Sequence, residues 1–327
     1  MNELSTTSER RFRRFGILTI ASVFFLIFVG GLVRSTGSGM GCPDWPKCFG
    51  QWVPPSDISQ LPPNYKEQFK TAAHEVADFD VYKTWTEYIN RLIGVLTGFF
   101  IFLTVFFAVP YLKKDKTVFW LSFLAFILVG FQGWIGAQVV DSNLAHWMVT
   151  IHMLIALVIV GLLIYTITRS QNFVILQLNN DSSFKGLMFA ILCLSLIQTV
   201  SGTQVRENID QLAKEMGEQN RQYWVSKLGS WFVFHRSASI ANLIITIALI
   251  LKSRNAFERH SIIYKSALAL ILLISVQIAS GKVLDNWGFP RHIQSAHLFI
   301  GSLIVGVQLF ITILIFSKTK PAQQAAK

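Results

Sequence analysis

Eight long apolar stretches dominate the chain, at about 15-34, 87-111, 117-140, 146-168, 185-205, 231-251, 263-284 and 292-316. Each can cross a bilayer as a helix, which takes roughly 20 residues. Hydrocarbon offers no water to the backbone, so a spanning segment of this kind must satisfy its own hydrogen bonds as a helix. With 52% apolar and 14% charged residues over 327 positions, a soluble globular class is excluded. The expected fold is an all-α membrane protein of eight transmembrane helices, an even number that puts both termini on one side. Arg10, Arg11, Arg13 and Arg14 give the first stretch a signal-like entrance. It is nevertheless read as a span, because the apolar run is long, no small-residue cleavage site follows, and its Gly30-Gly31-Leu32-Val33-Arg34 end resembles later segments.

Charge sets the orientation, since Lys and Arg accumulate in short cytoplasmic loops beside the spans. Both tails and the loops near 113-116, 169-185 and 252-265 hold 16 Lys/Arg against 5 Asp/Glu, while the rest of the chain holds 13 of each. The whole formal charge of +11 therefore falls on one face, expected to be cytoplasmic. A basic balance distributed in this way needs no nucleic acid to explain it.

Two halves of the chain repeat at an offset of 145 residues. Gln132, Gly136 and His152 match Gln277, Gly281 and His297, and Asn90-Arg91 matches His235-Arg236. Gly31 pairs instead with Gly202, an offset of 171, the excess lying in a longer first outer loop. The expected architecture is two tandem four-helix bundles related by a parallel internal repeat, 1-168 with the outer loop 35-86, and 169-327. A second outer loop is expected over 206-230, with a short surface helix between Asp210 and Gln222. Gln132-x-x-x-Gly136, Gln198-x-x-x-Gly202 and Gln277-x-x-x-Gly281 form one recurrent helical pattern, whose small residue admits either a neighbouring helix or a flat ligand.

Ionisable residues inside spans are costly and mark function by default. Asn90 and His235 are placed at the starts of helices two and six, and His152 and His297 about a turn and a half into helices four and eight. Two facing helices, each offering one imidazole at similar depth, frame a bis-histidine haem in a bundle. Zinc is the rival, but it needs three or four protein ligands, and no carboxylate or cysteine lies near His235 or His297 in their helices. The halves also differ. The second has both histidines and Phe232 where the offset places Glu87; the first has the acid but Asn90 in place of a histidine. A fully ligated haem suits electron transfer, and an incompletely ligated one beside a carboxyl group suits chemistry.

The residues Gly31 to Gly39, Cys42-Pro-Asp-Trp-Pro-Lys-Cys48, Glu87-Tyr88-x-x-Arg91, Gln132-Gly133-x-x-Gly136, His152, His235-Arg236 and His297 together resemble the bacterial haem A synthase family, over about 15 to 316. The resemblance implies an inner-membrane oxidoreductase that converts the C8 methyl group of haem O to the formyl group of haem A by two successive hydroxylations. It implies haem b held in the C-terminal half by His235 and His297, and substrate haem in the N-terminal half at His152. Glu87 would be the acid beside the methyl group. A haem O synthase upstream, a haem-copper oxidase downstream, membrane lipid and a homo-oligomeric state are the partners expected. Many family members have a histidine where Asn90 stands, so the substrate site is expected to be mono-histidine here.

Other readings stay beside these. Glu87 is alternatively an ion-pair partner of a nearby arginine. Arg91 and Arg236, with Arg34 and Arg206, either hold haem propionates or snorkel to the interface. Cys42 and Cys48, on the oxidising outer face, are read as a structural disulfide, with a redox-responsive pair as the alternative suggested by the family. Cys193 is read as packing, His146 and His292 as interfacial, His74 and His260 as loop residues. A non-catalytic dihaem cytochrome and a haem carrier or assembly factor remain as rival functions.

Overall fold

A computed structural model describes residues 7-70, 75-171, 175-177, 182-317 and 319-321. His74 lies outside the described residues. Eight of the described helices are long and apolar enough to cross a membrane: α1 Thr7–Ser35, α2 Val81–Ala108, α3 Lys116–Asp141, α4 His146–Arg169, α5 Ser182–Met216, α6 Ser230–Ala256, α7 Ile262–Asn286 and α8 Arg291–Ser317. The protein is thus an all-α, multi-pass membrane protein. Its one regular β element among the described residues is a parallel pairing of Ile175–Gln177 with Thr319–Pro321.

Polar caps explain why several helices begin outside the apolar windows. Asp80 accepts hydrogen bonds from the Tyr82 and Lys83 amides at 2.9 and 3.1 Å, so α2 starts six residues before its apolar stretch. Asp115 and Ser261 cap α3 and α7 in the same way. Asn90 consequently lies well inside α2 rather than at its start. The segment expected to be a separate surface helix in the second outer loop is instead the continuous end of α5, which runs 35 residues to Met216. At 1.5 Å per residue that helix is about 50 Å long, against roughly 30 Å of hydrocarbon. Its last turns therefore stand proud of the bilayer. Short helical turns at Glu218–Tyr223 and Trp224–Lys227 complete the connection to α6.

The chain divides into two compact units, Met1–Leu163 and Ile164–Lys327, the division falling inside α4. In the first, α2 lies between α1 and α3. Helix α4 joins α3 through a hydrogen bond from Gln132 Nε2 to the His152 carbonyl (2.8 Å), and meets α1 where Arg34 Nη2 lies 3.4 Å from His146 Nδ1. Thr19 and Thr104 pair their hydroxyls at 2.9 Å between α1 and α2. In the second unit α5, α6, α7 and α8 close a ring, each packing on the next and α8 returning to α5. Its core joins Met188 and Ile191 of α5, Leu249 of α6, Leu270 of α7 and Ile311 of α8. Outward faces are apolar and aromatic, with Trp120, Trp134, Trp231 and Trp287 exposed as lipid-facing and interfacial side chains are.

Each unit carries a small hydrophobic cluster at one end of its helices. Cys42, Cys48, Phe49, Leu61 and Tyr65 form the first. Val205, Ile209, Trp224, Leu284 and Phe289 form the second, with Phe232 packed against them. Cys42 and Cys48 are joined as a disulfide with Cα atoms 4.8 Å apart. Farther along the same loop Lys66 holds the Asp78 carboxyl below the usual carboxylate range through a 2.5 Å hydrogen bond. That pair is solvent-exposed and contributes little, so the loop depends on its disulfide and its docking on α2.

Candidate functional site

In the second unit the imidazoles of His235 on α6 and His297 on α8 lie with ring centroids 6.2 Å apart and ring planes tilted by 56°. Nitrogen ligands sit about 2 Å from a first-row metal, and an imidazole centroid lies about 1 Å behind its nitrogen, so a pair sharing one metal needs a centroid separation of about 6 Å. The observed spacing fits one atom between the rings. Both rings are edged by glycine. A Cβ added to Gly202 would come within 3.2 Å of His235 Cε1, and one on Gly281 within 3.5 Å of His297 Cε1. The glycines of the recurrent Gln-x-x-x-Gly pattern therefore lie against imidazoles, a use of the small residue different from the helix approach or flat ligand that the pattern suggests. Among the described residues no three His, Cys, Asp or Glu side chains gather as a metal cluster. Two imidazoles with a glycine cradle suit a ring-bound iron, which needs only two protein ligands.

Around this pair runs a polar network that the repeat pattern did not reveal. Gln198 Nε2 donates to the His235 carbonyl at 3.2 Å, and Asn242 Nδ2 donates to Gln198 Oε1. Ser195 Oγ donates to Asn242 Oδ1 at 3.3 Å, and Gln308 Nε2 donates to Ser195 Oγ at 2.9 Å. Ser195, Asn242 and Gln308 are all buried, and the chain of bonds ties α5, α6 and α8 together. Such a network fixes a unique packing when its members are satisfied. The legible signal was the placement of Asn242 and Gln308 inside apolar spans, where polar side chains are rare.

The first unit holds the corresponding positions with different partners. A Cβ on Gly136 would meet His152 Cε1 at 3.7 Å. Asn90 stands at the sequence position that corresponds to His235; its buried Oδ1 has no hydrogen-bond partner, nor has the buried Nδ1 of His152. The N-terminal turns of α2 form a docking face for the disulfide loop. Thr84 Oγ1 donates to the Gly41 carbonyl at 2.8 Å, Trp85 Nε1 to the Pro55 carbonyl at 3.3 Å, and Tyr88 to the Trp52 carbonyl. Glu87 is buried, receiving the Cys42 amide at 3.0 Å on one carboxylate oxygen and Arg91 on the other. Arg91 also donates to the carbonyls of Asp44 and Lys47 at 2.7 and 2.8 Å. Thus the ion-pair geometry set beside catalysis for Glu87 is present, and the Arg91 guanidinium is turned to the loop. Gly41 is required there, because a Cβ would lie 2.5 Å from the Lys83 carbonyl oxygen.

The remaining arginines differ in setting. Arg236 is exposed and lies 3.9 Å from Asp285. Arg206 pairs with Asp210 at 2.7 Å and donates to Gln294. Cys193 is a half-buried thiol within α5.

Fold and site define a polytopic helical membrane protein with two neighbouring imidazoles, His235 and His297, in one unit and with His152 and Asn90 at the matching sequence positions of the other. A family model described as cytochrome oxidase assembly protein matches residues 13–309. The chain belongs to that family. It is similar to the heme A synthase of Geobacillus kaustophilus (strain HTA426), 25% identical with 97% of this chain and 96% of the relative covered. It is similar also to those of Geobacillus thermodenitrificans, at 23% with 98% and 96% covered, and Alkalihalophilus pseudofirmus, at 23% with 96% and 99% covered.

Proposed function

We propose that this protein is a haem A synthase, an oxidoreductase that converts the C8 methyl group of haem O to a formyl group by two successive hydroxylations, the gem-diol losing water to give the aldehyde. The single observation that carries the reading is the 6.2 Å pair of His235 and His297 in one unit, where the other has one imidazole and Asn90 at the matching sequence positions. Full-length similarity to heme A synthases supports it.

In this reading the second unit is the redox half: His235 and His297 would hold haem b, and Arg236 would be available to a propionate. When bound, that haem would supply one-electron transfer. The first unit is the substrate half. His152 binds the iron of haem O, and Asn90, a poor ligand, leaves the opposite side accessible. Glu87 stands one helical turn outward of Asn90 on α2 and is the acid of the reactive half. Its carboxylate is fixed by the Cys42 amide and Arg91, so the disulfide loop orients it and excludes water from the outer mouth. Arg91 acts by holding that loop. The protein lies in the bacterial inner membrane with both termini cytoplasmic. It works between a haem O synthase and haem-copper oxidase assembly, with homo-oligomers permitted by its lipid-facing surface.

The test is extraction and chromatography of total haem from cells that make haem O, with and without this protein. Haem A should appear only with it; unchanged haem O alongside bound haem b would favour a carrier or a dihaem cytochrome. Glu87→Gln should abolish haem A while preserving the reduced-minus-oxidised spectrum of the second unit. Loss of that spectrum as well would remove Glu87 from the chemistry.

A further inference from the structure

We propose that Ser201 and Ser280 are positioning residues that hold His235 and His297 as Nδ1–H tautomers with Nε2 bare toward the metal, and that the first unit omits both serines so that its haem can leave. The inference rests on reading His235 and His297 as axial ligands.

A serine hydroxyl has one proton to give. Ser201 Oγ donates it to the Gln198 carbonyl at 2.9 Å, and Ser280 Oγ donates to the Gln277 carbonyl at 2.8 Å, each one turn back in its own helix. The same oxygens lie 3.0 Å from His235 Nδ1 and 2.8 Å from His297 Nδ1. With their protons spent, they can only accept. His235 Nδ1 also sits 3.1 Å from the Gln198 carbonyl, which has no proton at all. Each neutral imidazole therefore carries its hydrogen on Nδ1, and Nε2 keeps its lone pair for iron. An Nδ1–H donated to an oxygen raises the basicity of the ligand and fixes the ring.

The first unit has neither device. By the repeat offsets Ser280 corresponds to Ile135 and Ser201 to Gly30. The second correspondence is visible in space, since a Cβ built on Gly30 would meet Asn90 Oδ1 at 3.9 Å, as the serine meets His235. No side chain can take up the His152 Nδ1 proton there, and that buried nitrogen has no hydrogen-bond partner. The network behind His235 is lost with it: Ser195, Gln198, Asn242 and Gln308 correspond to Phe24, Ile27, Thr97 and Leu163. One unit is built to keep its haem and the other to exchange it, as a site that must release a product requires.

The experiment uses the full-length purified protein, comparing wild type with Ser201→Ala, Ser280→Ala, the double variant and Ser280→Thr. Alanine is a better helix former than serine, so the helices tolerate the change. Two quantities are read: the midpoint potential of the low-spin haem and its rate of loss to apomyoglobin. The double variant should shift to a more positive potential, because a less basic imidazole stabilises ferric iron less, and should lose haem about 10-fold faster or more. Ser280→Thr, which restores a hydroxyl, should return the Ser280→Ala values toward wild type. An unchanged potential and loss rate in the double variant would overturn the role of the serines. In protein loaded with a second equivalent of ferric protohaem, Ile135→Ser should slow release of that equivalent; no slowing would overturn the exchange half of the proposal. If His297→Ala kept the low-spin spectrum, the axial-ligand reading itself would fall, separately from the serines.

Discussion

At the residue scale, one side chain can have the same sequence neighbourhood in both units and opposite duties. Arg91 and Arg236 follow matched positions, yet the Arg91 side chain is 13% exposed and spends its donors on Glu87 and three loop carbonyls, those of Cys42, Asp44 and Lys47, while the Arg236 side chain is 64% exposed with one distant aspartate. Removing one member of a buried pair leaves the other charged and unpaired, at a cost of about 3–5 kcal/mol, whereas an exposed pair is worth about 0–1 kcal/mol. Arg91→Ala should therefore lower the thermal midpoint in detergent clearly and expose the Cys42–Cys48 loop to protease, and Arg236→Ala should do neither. Equal shifts for the two variants would contradict the clamp. The sequence showed both arginines and could not show this difference, because the carbonyls that occupy Arg91 come from a loop more than 40 residues upstream.

At the scale of elements, the Gln-x-x-x-Gly helices work by what their glycines leave empty. Space at Gly202 is the tightest, at 3.2 Å from the histidine ring, followed by Gly281 and then Gly136. Alanine at Gly202 should reduce the low-spin haem content of purified protein most, at Gly281 less, and at Gly136 leave it unchanged. Spectra ordered otherwise would mean that these glycines serve helix contacts instead. Gly41→Ala meets a backbone oxygen that cannot rotate away, so the disulfide loop should undock from α2, measured as faster reduction of Cys42–Cys48 by a thiol. Helix limits were the least legible feature. Hydropathy marks where a chain enters lipid, while Asp80 and the outer turns of α5 extend helices into water by capping and by packing on Trp224. For that reason α5 should show amide exchange protection through its outer turns, where an independent surface segment would exchange freely.

For the whole molecule, the asymmetry of Lys and Arg makes a direct prediction about sidedness. A cysteine introduced in place of Trp52 should react with an impermeant thiol reagent in intact cells, and one introduced at Lys320 should not. The reverse pattern would invert the proposed topology and place the Cys42–Cys48 disulfide in a reducing compartment. Net charge by itself has no bearing on which unit is reactive; the proposed function assigns that from Asn90, His152, His235 and His297.

The sequence by itself determined the eight spans, the doubled pattern of Gln, Gly and His, and the presence of Asn90 where the repeat has His235. These are readable because lipid forces apolar length and makes each polar exception conspicuous. Tertiary structure alone decided what each exception touches. Glu87 could be recognised as an unusual acid, but its bonds to the Cys42 amide and Arg91 depend on a loop folding back across α2. The histidines could be counted, but Ser201 and Ser280 carry no sequence signal, serine being ordinary in a membrane helix. Their meaning arises only where the ring of α5, α6, α7 and α8 turns each hydroxyl toward an imidazole, at distances that no spacing along one chain can fix.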